Sequence, residues 1–79
     1  MKAYLYWYKF SEYERTEYLY IIAVSKKQAK YLFYANGYKN MYDYSNGPID
    51  IIDAYHFRAR HNVGDILGQN AIIWANTQK

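Results

Sequence analysis

The sequence points to an α+β fold: an antiparallel β-sheet of about four strands with one main helix, about residues 26–36, packed on one face. The expected order is β-β-α-β-(short α)-β. Two features carry this reading. Residues 3–9 and 17–24 are dense in Tyr, Ile, Trp and Val and are parted by the polar turn SEYERT, which is the pattern of an antiparallel hairpin. The stretch SKKQAKYLFYANG then shows a helix start, an apolar stripe and a stop.

Each element has a local reason. Ser25 is a natural N-cap, and Gln28 three positions on completes a capping box, with Val24 and Ala29 placed as a hydrophobic staple. Ala29, Leu32, Phe33 and Asn36 follow at helical spacing, and Gly37 stops the helix. Residues 38–48 form a loop with turn residues Ser45, Asn46, Gly47 and Pro48 and room for a short strand at 40–44. Residues 49–60 read as a long strand with Ile51, Tyr55 and Phe57 inward and Asp50, His56, Arg58 and Arg60 outward. Asp53 falls on the inward side, which predicts a bulge or a strand end there. Asn62 is expected to cap a short helical turn over residues 63–68, and AIIWA (71–75) to be a final strand.

Seventy-nine residues suit one domain, and a chain of this length buries only about 60–65% of its unfolded surface, so a partner or a second copy would add stability. There is no cysteine, which removes disulfides and thiolate metal sites and agrees with a reducing compartment. The start of the chain lacks an unbroken apolar segment of signal-peptide type, and no apolar run approaches the roughly 18 residues of a membrane span. The expectation is a cytoplasmic protein that does not enter a membrane. Twelve tyrosines help bring the aromatic share to 22%, and Tyr, Asn, Lys and Ile supply 33 of the 79 residues. These residues have A/T-rich codons, so an AT-rich genome, as in a low-GC bacterium or its phage, accounts for part of the excess. The net charge of +3 is uneven: residues 1–40 carry +4 and residues 41–79 carry −1.

Strand alternation sets Tyr4, Tyr6 and Tyr8 on one side of the first strand and Leu5 and Trp7 on the other. With Leu5, Trp7, Leu19 and Ile21 assigned to the helix, Tyr4, Tyr6, Tyr8, Tyr18 and Tyr20 line an open face. Lys26, Lys27 and Lys30 crowd the first turns of the helix, where its dipole disfavours cations, and Arg58 and Arg60 share one side of a strand. These ten residues are the candidate binding surface. Tyr and Arg are enriched at interface centres, which favours a protein partner and leaves room for a homodimer. An aromatic sheet face also suits stacking of single-stranded nucleic acid, the alternative reading, although neither an RNP-type submotif nor a glycine-rich phosphate loop is present.

A metal site is not expected: His56 and His61 are five apart, which puts them on opposite faces of a strand, and Asp50 and Asp53 do not complete a ligand set. No cofactor is implied. Nor is catalysis: Ser25 is used by its cap, Ser11 and Ser45 lie in turns, and the spacing of Asp43, Asp50, Asp53 and His56 defines no nucleophile and base.

The stretch YLYIIAVSKKQAKYLFYANGY (18–38), a strand followed by S-x-x-Q-A and a short amphipathic helix, resembles a unit common in small phage and mobile-element accessory proteins. The resemblance covers about a quarter of the chain. It implies a small non-enzymatic protein that inhibits or modulates a host protein complex, anti-CRISPR-type inhibitors being one such group; it carries over no site residues.

Overall fold

The computed structural model describes residues 1–57 and 59–77. The elements run β1 (Lys2–Lys9), β2 (Glu17–Ala23), α1 (Lys26–Ala35), a 3₁₀ turn (Tyr38–Asn40), β3 (Asp43–Tyr44), β4 (Asp50–Asp53), a second 3₁₀ turn (Ala54–His56), β5 (Ile66–Leu67) and α2 (Gln69–Thr77). The fold is α+β, with an antiparallel sheet in which β1 and β2 are central.

β1 and β2 form the expected hairpin, and its register decides the rest. Tyr4 lies opposite Ile21, Tyr6 opposite Leu19 and Tyr8 opposite Glu17, while Leu5 faces Tyr20 and Trp7 faces Tyr18. Paired residues project to the same side of a sheet. Tyr4, Tyr6, Leu19 and Ile21 therefore share one side and form a core with Ala29 and Phe33 of α1. Ala3, Tyr20 and Ile22 share the other and form a second core with Phe57 and with Ile72 and Ala75 of α2.

This corrects the open tyrosine face. Tyr4, Tyr6 and Tyr20 are all buried, at 5%, 1% and 3% exposure. Tyr8 is half-buried at the margin of the α1 core, and of the five only Tyr18 is exposed. The five also divide between the two sides, because the register sets Tyr18 and Tyr20 with Trp7 and Leu5. Leu19 and Ile21 do meet α1, whereas Leu5 packs with the α2 core.

α1 begins as its sequence dictates. The Gln28 N–H donates to Ser25 Oγ at 3.1 Å, and Gln28 Oε1 accepts from the Val24 N–H at 2.8 Å, one residue earlier than in the usual reciprocal box. Val24 is exposed and does not act as a staple. Asn36 closes the helix by donating its Nδ2 to Leu32 O at 2.7 Å, and Gly37 takes the left-handed conformation at φ 89°.

β3 and β4 both pair with β1, on the edge away from β2: β3 at Tyr8 and Lys9, β4 from Lys2 to Leu5. From Tyr8 to Leu5, β1 advances three residues while its neighbour advances six, from Tyr44 to Asp50. The three extra residues bulge at Asn46, Gly47 and Pro48, and Ser45 and Ile49 on either side still donate to Trp7 O and Leu5 O.

The C-terminal third departs most from expectation. The expected long strand stops at Asp53 and continues as a 3₁₀ turn, so Tyr55 is exposed at 77% while Phe57 is buried as expected. Residues 63–68 hold β5 in place of a helical turn, and 71–75 lie within α2 in place of a final strand. Phe57 lies edge-on to Tyr20 at 5.3 Å and tilted against Trp74 at 6.3 Å, joining sheet and helix.

Candidate functional site

With both sides of the sheet covered, the functional surface has to be sought on the helices and loops. α1 brings exposed charge and aromatic area together. Its inward stripe is Ala29 and Phe33; its outer side carries Lys26, Lys27, Lys30 and Tyr31, all exposed. The spacing makes two i,i+4 pairs, Lys27 with Tyr31 and Lys30 with Tyr34. In the second, Lys30 Nζ sits over the Tyr34 ring, 5.7 Å from its centroid. Such a cation–π contact is worth about 0.5–1 kcal/mol at an exposed site.

Aromatic side chains extend this surface from the core outward. Phe33 stacks on Tyr6 at 4.4 Å and on Tyr38 at 5.1 Å; Tyr38 tilts against Tyr8 at 4.9 Å, and Tyr8 meets Phe10 edge-on at 5.4 Å. Tyr34 meets Tyr44 edge-on at 6.2 Å. Half-buried Tyr8, Tyr34, Tyr38 and Tyr44 thus form a shoulder beside α1, anchored on Phe33, with Phe10 exposed at its margin. Burial pushes the Tyr8 and Tyr38 hydroxyls up from their ordinary pKa, with Tyr38 and Glu17 adding to the shift at Tyr8. These groups therefore stay neutral, able to donate, at physiological pH.

The α1 segment and the turn that follows it are one-sided in charge. No Asp or Glu occurs between Glu17 and Asp43, while Lys26, Lys27, Lys30 and Lys39 all fall in that interval. Among the described residues, the ion pairs are Lys2 with Asp53 at 2.9 Å and Arg15 with Glu17 at 3.2 Å, and His61 Nδ1 lies 3.6 Å from Asp65 Oδ2. None of the four lysines takes part in them.

The structure thus keeps Lys26, Lys27 and Lys30 together on α1, leaves half-buried Tyr8 on the shoulder beside that helix and exposed Tyr18 on the other side of the sheet, and takes the remaining described candidates elsewhere. Tyr4, Tyr6 and Tyr20 are interior. Arg58 lies outside the described residues. Arg60 is exposed but lines a different feature, an open cleft of about 680 Å³ bordered by Asp53, Tyr55, Phe57 and His61. His56 stacks on Tyr55 at 4.6 Å, and His61 lies edge-on to Phe57 at 5.6 Å. Tyr31, Tyr34, Tyr38 and Lys39 were missed as members of the surface. Two signals mark them in the chain: the repeated Lys-to-Tyr spacing of four, and the acid-free interval around it.

No family model matches the chain, and no curated protein or solved structure matches it. Among the described residues no helix is long and apolar enough to cross a membrane.

Proposed function

We propose that this is a non-enzymatic binding protein whose basic, tyrosine-bearing α1 surface docks on an acidic face of a larger protein complex and so inhibits or modulates it. The observation that carries the reading is a set of lysines with no carboxylate partner among the described residues, Lys26, Lys27, Lys30 and Lys39, in one stretch of chain with Tyr31 and Tyr34. Unpaired cations beside aromatic area suit a partner that supplies the missing carboxylates and an apolar contact at the centre. The resemblance of residues 18–38 to small phage and mobile-element proteins agrees with such a role in a bacterial cytoplasm, anti-defence activity of the anti-CRISPR type being one form of it.

The alternative is single-stranded nucleic acid, with the lysines on phosphates and Tyr31 as a stacking platform in place of the covered sheet. The two partners are separated by capture from bacterial lysate with and without nuclease, using the wild type and the variant Lys27→Glu/Lys30→Glu/Tyr31→Ala. All three side chains are exposed, so the variant keeps the wild-type circular dichroism. A nuclease-resistant partner captured by the wild type and lost by the variant is the expected result. Equal capture by both proteins removes the α1 surface from the function, and loss of all partners on nuclease treatment transfers it to nucleic acid.

A further inference from the structure

The cleft lined by Arg60 is separate from the α1 surface. It holds about 680 Å³ and is built largely on the segment that leaves the end of β4, from Asp53 to His61. Small-molecule sites span about 300–1,000 Å³, so the cleft has room for one such ligand.

Two aromatic side chains line it in opposite conditions. Phe57 is 6% exposed and held in place by Tyr20 at 5.3 Å, His61 at 5.6 Å and Trp74 at 6.3 Å. Tyr55 is 77% exposed, yet its ring is supported: His56 stacks on it at 4.6 Å with planes 25° from parallel. One face of the Tyr55 ring is therefore covered, and the other is free for a second planar group. A supported aromatic ring with one free face is a platform for a nucleic-acid base.

Two opposite charges line the same cleft and do not meet. Asp53 Oδ1 accepts from Lys2 Nζ at 2.9 Å, and among the described residues Arg60 pairs with no carboxylate. The Lys2 hydrogen bond and charge hold the Asp53 carboxyl below its ordinary pKa, so at neutral pH it only accepts hydrogen bonds. The guanidinium of Arg60 only donates. A molecule that satisfies the whole cleft brings a planar ring to Tyr55, hydroxyl donors to Asp53 and an anion to Arg60. An ionised Asp53 repels an anion, which directs that group to the Arg60 end.

We propose that this cleft binds a nucleoside monophosphate, with the base stacked on Tyr55, a sugar hydroxyl donating to Asp53 and the phosphate on Arg60. An aromatic acid supplies the ring and the anion but leaves Asp53 without a donor. Arg suits the phosphate because its planar fork bonds two oxygens at once. The same unit occurs free and at the phosphorylated end of a single strand. Neither source involves the α1 surface, so the site stands whatever that surface binds.

An NMR titration of the intact chain with adenosine, adenosine monophosphate, inorganic phosphate and a 5′-phosphorylated oligonucleotide tests the proposal. Tyr55 and Arg60 are exposed, so Tyr55→Ala and Arg60→Gln are expected to keep the wild-type circular dichroism. In the wild type the monophosphate should shift the amides of residues 54–57 and bind about tenfold more tightly than adenosine. Tyr55→Ala should weaken it about tenfold. Arg60→Gln should lower the monophosphate to the affinity of adenosine. Binding of the oligonucleotide tighter than the monophosphate, and lost in Arg60→Gln, assigns the unit to a strand end; equal or weaker binding assigns it to the free nucleotide. The proposal is overturned by a wild type that shows no shifts at these amides up to about 10 mM monophosphate. It is also overturned by inorganic phosphate acting as strongly as the nucleotide, or by an Arg60→Gln variant that still prefers the monophosphate to adenosine.

Discussion

The Tyr6 ring lies stacked on Phe33, with centroids 4.4 Å apart and planes 18° from parallel. The contact ties the middle of β1 to the last turn of α1, and both side chains are at most 1% exposed. Phe33 also contacts Tyr34, Tyr38 and Tyr44, so one side chain anchors the helix and the aromatic shoulder together. Phe33→Ala is expected to cost about 3–5 kcal/mol, the range for deleting a buried phenyl ring. Urea denaturation measures it, and the near-UV signal of the tyrosines should fall in the same transition.

The Tyr6 hydroxyl is buried without a hydrogen-bond partner among the described residues. Burial, with smaller contributions from Tyr34 and Tyr4, pushes its pKa from 10.0 up to about 12. Below pH 10 the group is neutral in both the folded and the unfolded chain, and its contribution to stability is intact. From pH 10 to about 12 the unfolded chain releases this proton first, so stability falls as pH rises. Two units correspond to roughly 2–3 kcal/mol. Tyr8, Tyr20 and Tyr38 are shifted in the same direction and steepen the decline. Tyr6→Phe should match or exceed the wild type at neutral pH, since it removes an unsatisfied buried group, and should lose less stability on the alkaline side. Denaturant midpoints from pH 8 upward are the check.

Asp43 and Asp50 act as guards of the outer strand edge: Asp43 Oδ1 accepts from the Tyr44 N–H and Asp50 Oδ1 from the Ile51 N–H, both at 2.9 Å. Replacing both by Ala frees the N–H groups of Tyr44 and Ile51. Those two amides should exchange with solvent faster, and the variant should form higher assemblies at concentrations where the wild type does not. Hydrogen exchange by NMR together with light scattering reads both effects; unchanged exchange at the two amides would show that the carboxylates do not cap them.

Ile72 and Ile73 are neighbours in α2 with opposite environments, 8% and 54% exposed. Ile72→Ala should cost about 2–4 kcal/mol by leaving a void over Tyr20 and Ile22, whereas Ile73→Ala should cost well under 1 kcal/mol. Thermal or urea unfolding of the pair distinguishes a helix with one buried side from a strand buried on both, for which both substitutions would be severe.

The limits of α1 were legible. Ser25, Gln28, Asn36 and Gly37 act through neighbours within four positions, and local chemistry of that kind is carried by the chain itself. The hairpin was legible too, because two β-rich runs close together around SEYERT have a short route to pairing. The same reach exposed the lysines: Lys26, Lys27 and Lys30 point outward because Ala29 and Phe33 point inward.

The sides of the sheet were decided only by tertiary structure. β1 places bulky aromatic or aliphatic residues at nearly every position, so a period of two cannot say whether Tyr6 or Trp7 is interior. The pairing of Tyr6 with Leu19, and the arrival of a helix on each side, decide it. AIIWA is too short and too uniformly apolar for its own pattern to choose between strand and helix; it becomes α2 because Ala3, Tyr20 and Ile22 leave an apolar surface that Ile72 and Ala75 cover. The sequence by itself thus determined α1, the hairpin and the basic stretch, where the stabilising contacts are near in the chain. Which tyrosines are interior and where the C-terminal segment lies depended on contacts between residues far apart in it.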